Sequence, residues 1–188
     1  MIAILHSFKR RFSDQIARFN AERRGVAALE FAILLPLMLT LYLGGSDLST
    51  GVSTQRKVNL TASALADLAS QFTNIHNADM TNILNAASDI IAPYPANYLA
   101  ATVSELAIDA NGNATVVWSD AINGPARPVG QTVTIPSTLA TPNSYLILGE
   151  AAYNFNPTYS YALTGTMSLS DQIYMAPRQS NSVTRINS

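Results

Sequence analysis

Residues 25–45 read GVAALEFAILLPLMLTLYLGG, and no other stretch limits so narrowly what the chain can fold into. As a helix rising ~1.5 Å per residue, the run spans roughly 31 Å, close to the ~30 Å hydrocarbon core of a bilayer. Its only ionisable side chain is Glu30, and its only helix-disturbing residue is Pro36. Helices on soluble domains keep a polar face. This run has none, which predicts a transmembrane segment over residues 26–45. A secretory signal would show an apolar region of about 7–15 residues and an A-x-A-like cleavage site; this run is longer, carries an acid and lacks that spacing of small residues.

Charge gives the orientation. Residues 1–24 hold Lys9, Arg10, Arg11, Arg18, Arg23 and Arg24 against Asp14 and Glu22, whereas the whole chain is −1. Arg23 and Arg24 abut the apolar run. Its other end meets Ser46 and Asp47, with no basic residue before Arg56. The positive-inside rule then makes residues 1–25 a cytoplasmic basic leader and places everything after Gly45 outside the cytoplasm. The expected topology is single-pass, with the carboxyl-terminal domain outside the cytoplasm. Within the leader, Ile2, Leu5, Phe8, Phe12, Ile16 and Phe19 recur at spacings of three and four. That is the pattern of a basic amphipathic helix on an anionic membrane face; a positively charged leader that is later removed is the simpler reading.

Glu30 needs a reason to be where it is. A charged residue at mid-helix costs on the order of 2.5–3.5 kcal/mol on insertion scales, so an intramembrane carboxylate calls for a partner. Near the interface it could reach water or pair with Arg23 or Arg24. Spacing offers a second partner: a cut after Gly25 makes Val26 a new amino terminus and Glu30 the fifth residue. Basic leader, glycine, apolar stretch and fifth-position glutamate together resemble the prepilin-peptidase site of type IV pilins and pseudopilins. The resemblance implies that Glu30 meets the amino-terminal ammonium of a neighbouring subunit, each ion offsetting the desolvation of the other.

The stretch RRGVAALEFAILLP, residues 23–36, closely resembles the opening of TadE-like proteins of the tight-adherence pilus system. Arg24, Gly25, Ala28, Glu30, Phe31, Ala32 and Pro36 match that pattern, more loosely Gln55, Arg56 and residues 64–71, and YMAPRQS at 174–180 looks like the close of longer members. The resemblance implies a minor pilin-like component in assembly of a bacterial Flp-type pilus. It assigns Gly25 and Val26 to processing and Glu30 and Phe31 to subunit pairing. The implied partners are the membrane, a prepilin peptidase, sibling pilins or pseudopilins and the pilus assembly platform. Flp pilins have Glu-Tyr where this chain has Glu30-Phe31 and are much shorter, which argues against the major pilin. TadG-like relatives share a similar anchor and are thought not to be cleaved.

Beyond the membrane, Val58, Ala62, Leu65, Ala69 and Phe72 form a stripe of helical period, extending the helix as a stem over residues 46–76. Gly44, Gly45 and Gly51 would permit a bend. A second amphipathic helix is expected at 78–91, ended by Pro93 and Pro95. Strands are expected at 99–109 and 113–119 around an Asn111-Gly112 hairpin signal, then near 131–135, 145–154, 158–164 and 166–174, with 120–130 as a loop. The fold class is therefore α+β: a transmembrane helix and stem, then a small antiparallel sheet, with residues 77–177 as the extracytoplasmic domain. Residues 178–188 are expected to be a flexible tail.

Little chemistry is encoded. Without cysteine there is no thiolate or disulfide, and His6 and His76 are the only histidines, too few for a His-based metal site or triad. No phosphate-cradling glycine motif occurs. Asp109, Asn111, Asn113 and Asp120 imitate a calcium loop only faintly, and a hairpin turn explains Asp109 to Asn113 better. Glu150 lies in the apolar segment LILGEAAYNF, as an edge or paired residue. Trp118 and the tyrosines lack the interleaved basic residues of a nucleic-acid platform. The expectation is a protein that is not an enzyme, with no cofactor, metal, nucleic acid or small-molecule substrate. Two rival classes stand beside it: an uncleaved, membrane-anchored binding or adhesion module, and an anchored hydrolase using serine and acid alone.

Overall fold

Helix α1 (Arg23–Ser70) takes in the apolar run and the stripe as far as Ala69; it ends before Phe72, short of the stem expected to reach residue 76. The computed structural model describes residues 23–159 and 164–187. The amphipathic leader expected over residues 1–20 lies outside them, as do the side chains of Arg23 and Arg24. The chain divides into two compact units, Met1–Ser46 and Asp47–Ser188.

In the first unit α1 is apolar all round. Val26, Leu29, Phe31, Ile33, Leu34, Leu35, Leu37, Met38, Leu39, Leu41 and Tyr42 are all exposed. Burying one such side chain is worth about 1.5–3 kcal/mol, so leaving eleven in water costs on the order of ten kcal/mol or more. That matches the whole stability of a typical domain. The helix is long and apolar enough to cross a membrane once. Pro36 stays within it, and the Thr40 hydroxyl donates to the Pro36 carbonyl at 2.8 Å.

In the second unit, the part of α1 from Asp47 onward buries one face. Thr54, Val58, Thr61, Ala62, Leu65, Ala66 and Ala69 are fully covered. Thr54 and Thr61 enter the core because their hydroxyls donate to the carbonyls of Thr50 and Lys57, both at 2.9 Å. Helix α2 (Asn77–Ile91) buries Met80, Ile83, Ala87 and Ile91 and half-buries Leu84 and Ile90, all on the expected amphipathic face. Asp79 accepts from the His76 backbone at 3.0 Å at its start. Lys57 donates to the Ile90 carbonyl at 3.0 Å at its end, where a cation favours the helix dipole.

Five antiparallel strands form the main sheet in the order β4-β3-β2-β5-β6. They are β2 (Leu99–Ile108), β3 (Ala114–Ile122), β4 (Thr132–Val133), β5 (Ser144–Phe155) and β6 (Met167–Met175). Two further strands, β1 (Asn74–Ile75) and β7 (Thr184–Arg185), pair in parallel as a separate small sheet. Leu99, Ala101, Val103, Trp118, Ile147 and Ala151 share a core with the residues of α1 and α2. Leu106, Ile108, Val116, Leu146 and Leu148 form a second cluster. The Asn111-Gly112 signal resolves as a three-residue loop, with Gly112 at φ +84° and Asp109 N–H donating to Asn113 O. This is the geometry of a type I turn closed by a left-handed glycine. The Asp109 carboxylate accepts from Asn111 N, Asn113 N and Asn113 Nδ2, which lowers its pKa, the Asn113 side chain contributing most.

Three sequence expectations need correction. The tail is not frayed after Pro177: Val183 is fully buried and β7 pairs with β1, because backbone groups near Val183 meet buried side-chain partners. The loop assigned to 120–130 begins later, since β3 continues to Ile122, which pairs with Ala101. Thr158 and Tyr159 are not strand residues; their N–H groups go to the Asp47 carboxylate instead of a ladder.

Helix α1 crosses β5 at close range. A Cβ on Gly149 would come 2.4 Å from Ala62 O, 2.9 Å from Ala66 N and 3.1 Å from Ala66 Cβ. No rotamer change relieves a clash with backbone. Gly149→Ala in the full chain is therefore expected to lower stability by about 1–3 kcal/mol, the usual cost of overpacking, read as a lower urea midpoint in detergent. An unchanged midpoint would show that helix and strand are not held this close.

Candidate functional site

Gly25, Val26, Glu30 and Phe31 all fall in the first turns of α1. Val26 and Phe31 are 58% and 62% exposed, and Glu30 is exposed with them. Among the described residues, a Cβ on Gly25 would meet nothing within 4 Å. Val26 and Glu30 are four residues apart and so share a helix face. Helical side chains tilt toward the amino terminus, which directs the Glu30 carboxylate back toward Val26. The arrangement places one acid on an exposed surface that is otherwise apolar from Val26 to Leu39. Arg23 and Arg24 belong to the same first turn, their side chains outside the described residues.

A second polar constellation sits on the sheet of the Asp47–Ser188 unit. A cleft of about 490 Å³ is lined by Ala100, Thr102, Ala152 and Gln172, with Arg127 and Glu150 among its walls. Arg127 Nε and Nη2 donate to the two Glu150 carboxylate oxygens at 2.7 and 2.6 Å. This is the bidentate geometry that makes an ion pair strong and directional. Glu150, noted in sequence only as an edge or paired residue, is thereby partnered. Arg127 N also donates to Ser119 Oγ at 3.0 Å, and that hydroxyl accepts from Ser104 Oγ at 2.9 Å. The pair therefore pins the β3–β4 loop over the sheet.

The third group was not foreseen. Glu105, 1% exposed, accepts from Val183 N at 2.6 Å, while Trp118 Nε1 donates to Val183 O at 2.7 Å. Both backbone groups of Val183 are thus taken by buried side chains. Arg185 adds an ion pair to Asp120 at 2.9 Å. Arg178 pairs with Asp67, and its N–H donates to the Ser70 carbonyl at 2.9 Å, capping the end of α1. The role is structural: it straps the carboxyl-terminal segment over the core. No local pattern in the sequence announces it, because Glu105 reads as one polar residue in an apolar strand.

Burial raises the Glu105 carboxyl above its ordinary value of 4.5, with the Val183 N–H and then the Trp118 indole pulling it partly back. A raised carboxyl favours the protonated form in the folded state. The associated stability is complete below 4.5 and is lost as pH rises through the folded value. Glu105→Gln keeps an acceptor for Val183 and carries no charge. Urea midpoints measured from pH 4 to 8 should fall with rising pH in the parent and fall less in the variant; parallel curves would contradict the strap's electrostatics.

Residues 25–67 match the family model described as TadE-like protein. The match covers the whole apolar run and reaches Gln55, Arg56 and Asp67. YMAPRQS at 174–180 lies outside it. No curated protein and no solved structure matches the chain.

Proposed function

From a chain that is TadE-like over residues 25–67, we propose a minor pilin-like component, a pseudopilin, acting in assembly of a Flp-type tight-adherence pilus. In this reading residues 26–45 anchor it in a bacterial inner membrane, with the amino terminus cytoplasmic and the domain from Asp47 onward outside. A prepilin peptidase cuts between Gly25 and Val26. The Glu30 carboxylate then meets the Val26 ammonium of a neighbouring subunit, with Phe31 packing beside it. The role is assembly, not catalysis, and the partners are sibling pilins and the assembly platform.

The observation that carries this reading is the lone acid on the apolar surface of α1. Lipid alone penalises Glu30 by on the order of 2.5–3.5 kcal/mol, and an ammonium at the same depth offsets that cost. The surrounding side chains, from Val26 to Tyr42, are exposed in the isolated chain and suit either lipid or the helices of other subunits.

Two measurements test it. Mass spectrometry of the protein made alongside its own envelope machinery should give a mature chain beginning at Val26. A chain beginning at Met1 would remove the peptidase and favour the permanently anchored binding module. Glu30→Leu makes the segment more apolar and so does not impair insertion, yet it should abolish pilus assembly while membrane levels stay at the parental value. Normal piliation in that variant, counted by electron microscopy, would sink the pairing.

A further inference from the structure

Asp47 stands two residues past the apolar run, about 3 Å along a helix axis. Asp47 is 6% exposed. Oδ1 accepts from the backbone N–H of Thr158 at 3.0 Å and Oδ2 from that of Tyr159 at 2.9 Å. One helical turn further on, a Cβ on Gly51 would lie 3.5 Å from the ring of Phe155. The end of β5 and the residues after it thus run beside α1 from Gly51 to Asp47, the first residue of the second unit. Thr166 Oγ1 donates to Asn156 Oδ1 at 2.6 Å and holds the two limbs of the β5–β6 connection together.

A buried carboxylate is tolerated where hydrogen bonds replace its water. Here the donors are main-chain, so the bonds fix backbone position and not merely a rotamer. Tyr159 is 57% exposed, and on the helix beside Asp47 so are Leu48 at 70% and Val52 at 47%. Apolar exposure next to the end of a membrane segment, with a tyrosine hydroxyl included, is the composition of a bilayer interface, where amphipathic rings sit at headgroup level.

We infer that the Thr158–Tyr159 backbone lies at the headgroup level of the bilayer, with Tyr159 as an interfacial anchor and Asp47 as the positioning residue that sets its depth. The inference rests on the reading that residues 26–45 span a membrane, and it goes beyond that reading by assigning a second, non-helical contact with lipid.

The chain has no cysteine, so single nitroxide labels can be placed cleanly. Leu37→Cys, Tyr159→Cys and Asn111→Cys would each be labelled in the full chain, reconstituted in phosphatidylcholine–phosphatidylglycerol vesicles. Collision with oxygen relative to a water-soluble nickel chelate reports depth. Leu37 should give the highest ratio, Asn111 at the hairpin tip an aqueous one, and Tyr159 a value several-fold above Asn111. A Tyr159 ratio equal to that of Asn111, with Leu37 deep, overturns the inference and leaves the span intact. An aqueous Leu37 overturns the span and the inference together. Adding Asp47→Ala should bring the Tyr159 label to the aqueous ratio without moving Leu37; an unchanged Tyr159 ratio removes Asp47 from the account. Should that variant fail to fold, the Tyr159 label in the parent chain still decides the lipid contact.

Discussion

At Gly149 the backbone of β5 approaches the backbone of α1 more closely than any side chain would allow, and the domain is organised around that approach. The face α1 presents there is small, with Ala62, Ala66 and Ala69 all covered. Close approach lets β2 and β5 supply Val103, Ile147 and Ala151 to the same core as Leu65 and Ile83. Dense packing of this kind, not helix propensity, is what holds an amphipathic helix in place. The carboxyl-terminal strap depends on it in turn, because Arg178 caps α1 at Ser70 and pairs with Asp67 on the same helix.

One helical element thus carries two surface patterns. From Val26 to Tyr42 its surface is apolar without a polar face; from Thr54 to Ala69 it is apolar along one face only. The change of pattern occurs near Asp47, the first residue of the second unit and a buried acid bonded to the β5–β6 connection. On the reading that α1 spans a bilayer, Glu30 is an acid placed where lipid penalises it, and Asp47 an acid buried where main-chain donors satisfy it. The two carboxylates illustrate opposite solutions to the same desolvation problem.

What could be read from the sequence is what is local. The stripes of α1 and α2, the Asn111-Gly112 hairpin, β5, β6 and the α+β class follow from periodicity and turn chemistry within windows of about 20 residues. The Gly25–Glu30 spacing is equally local, and the TadE-like match begins at Gly25. The side-chain contacts that fix the domain are not local. Asp47 and Thr158 are 111 residues apart, Glu105 and Val183 78, Arg127 and Glu150 23. No period links such pairs, which is why the tail reads as frayed when it is strapped and why Thr158 and Tyr159 read as strand. Gly149 is invisible for the same reason: its meaning lies in Ala62 and Ala66.

The claim on which the rest stands is that the exposed apolar half of α1 is covered by lipid. Alkaline carbonate washing of membranes from cells making the full chain tests it directly, since high pH strips peripheral proteins and leaves spanning ones. The account predicts that the protein stays in the membrane pellet and is released only by detergent. Release into the carbonate supernatant would contradict it, and the apolar surface from Val26 to Tyr42 would then need a covering of protein instead.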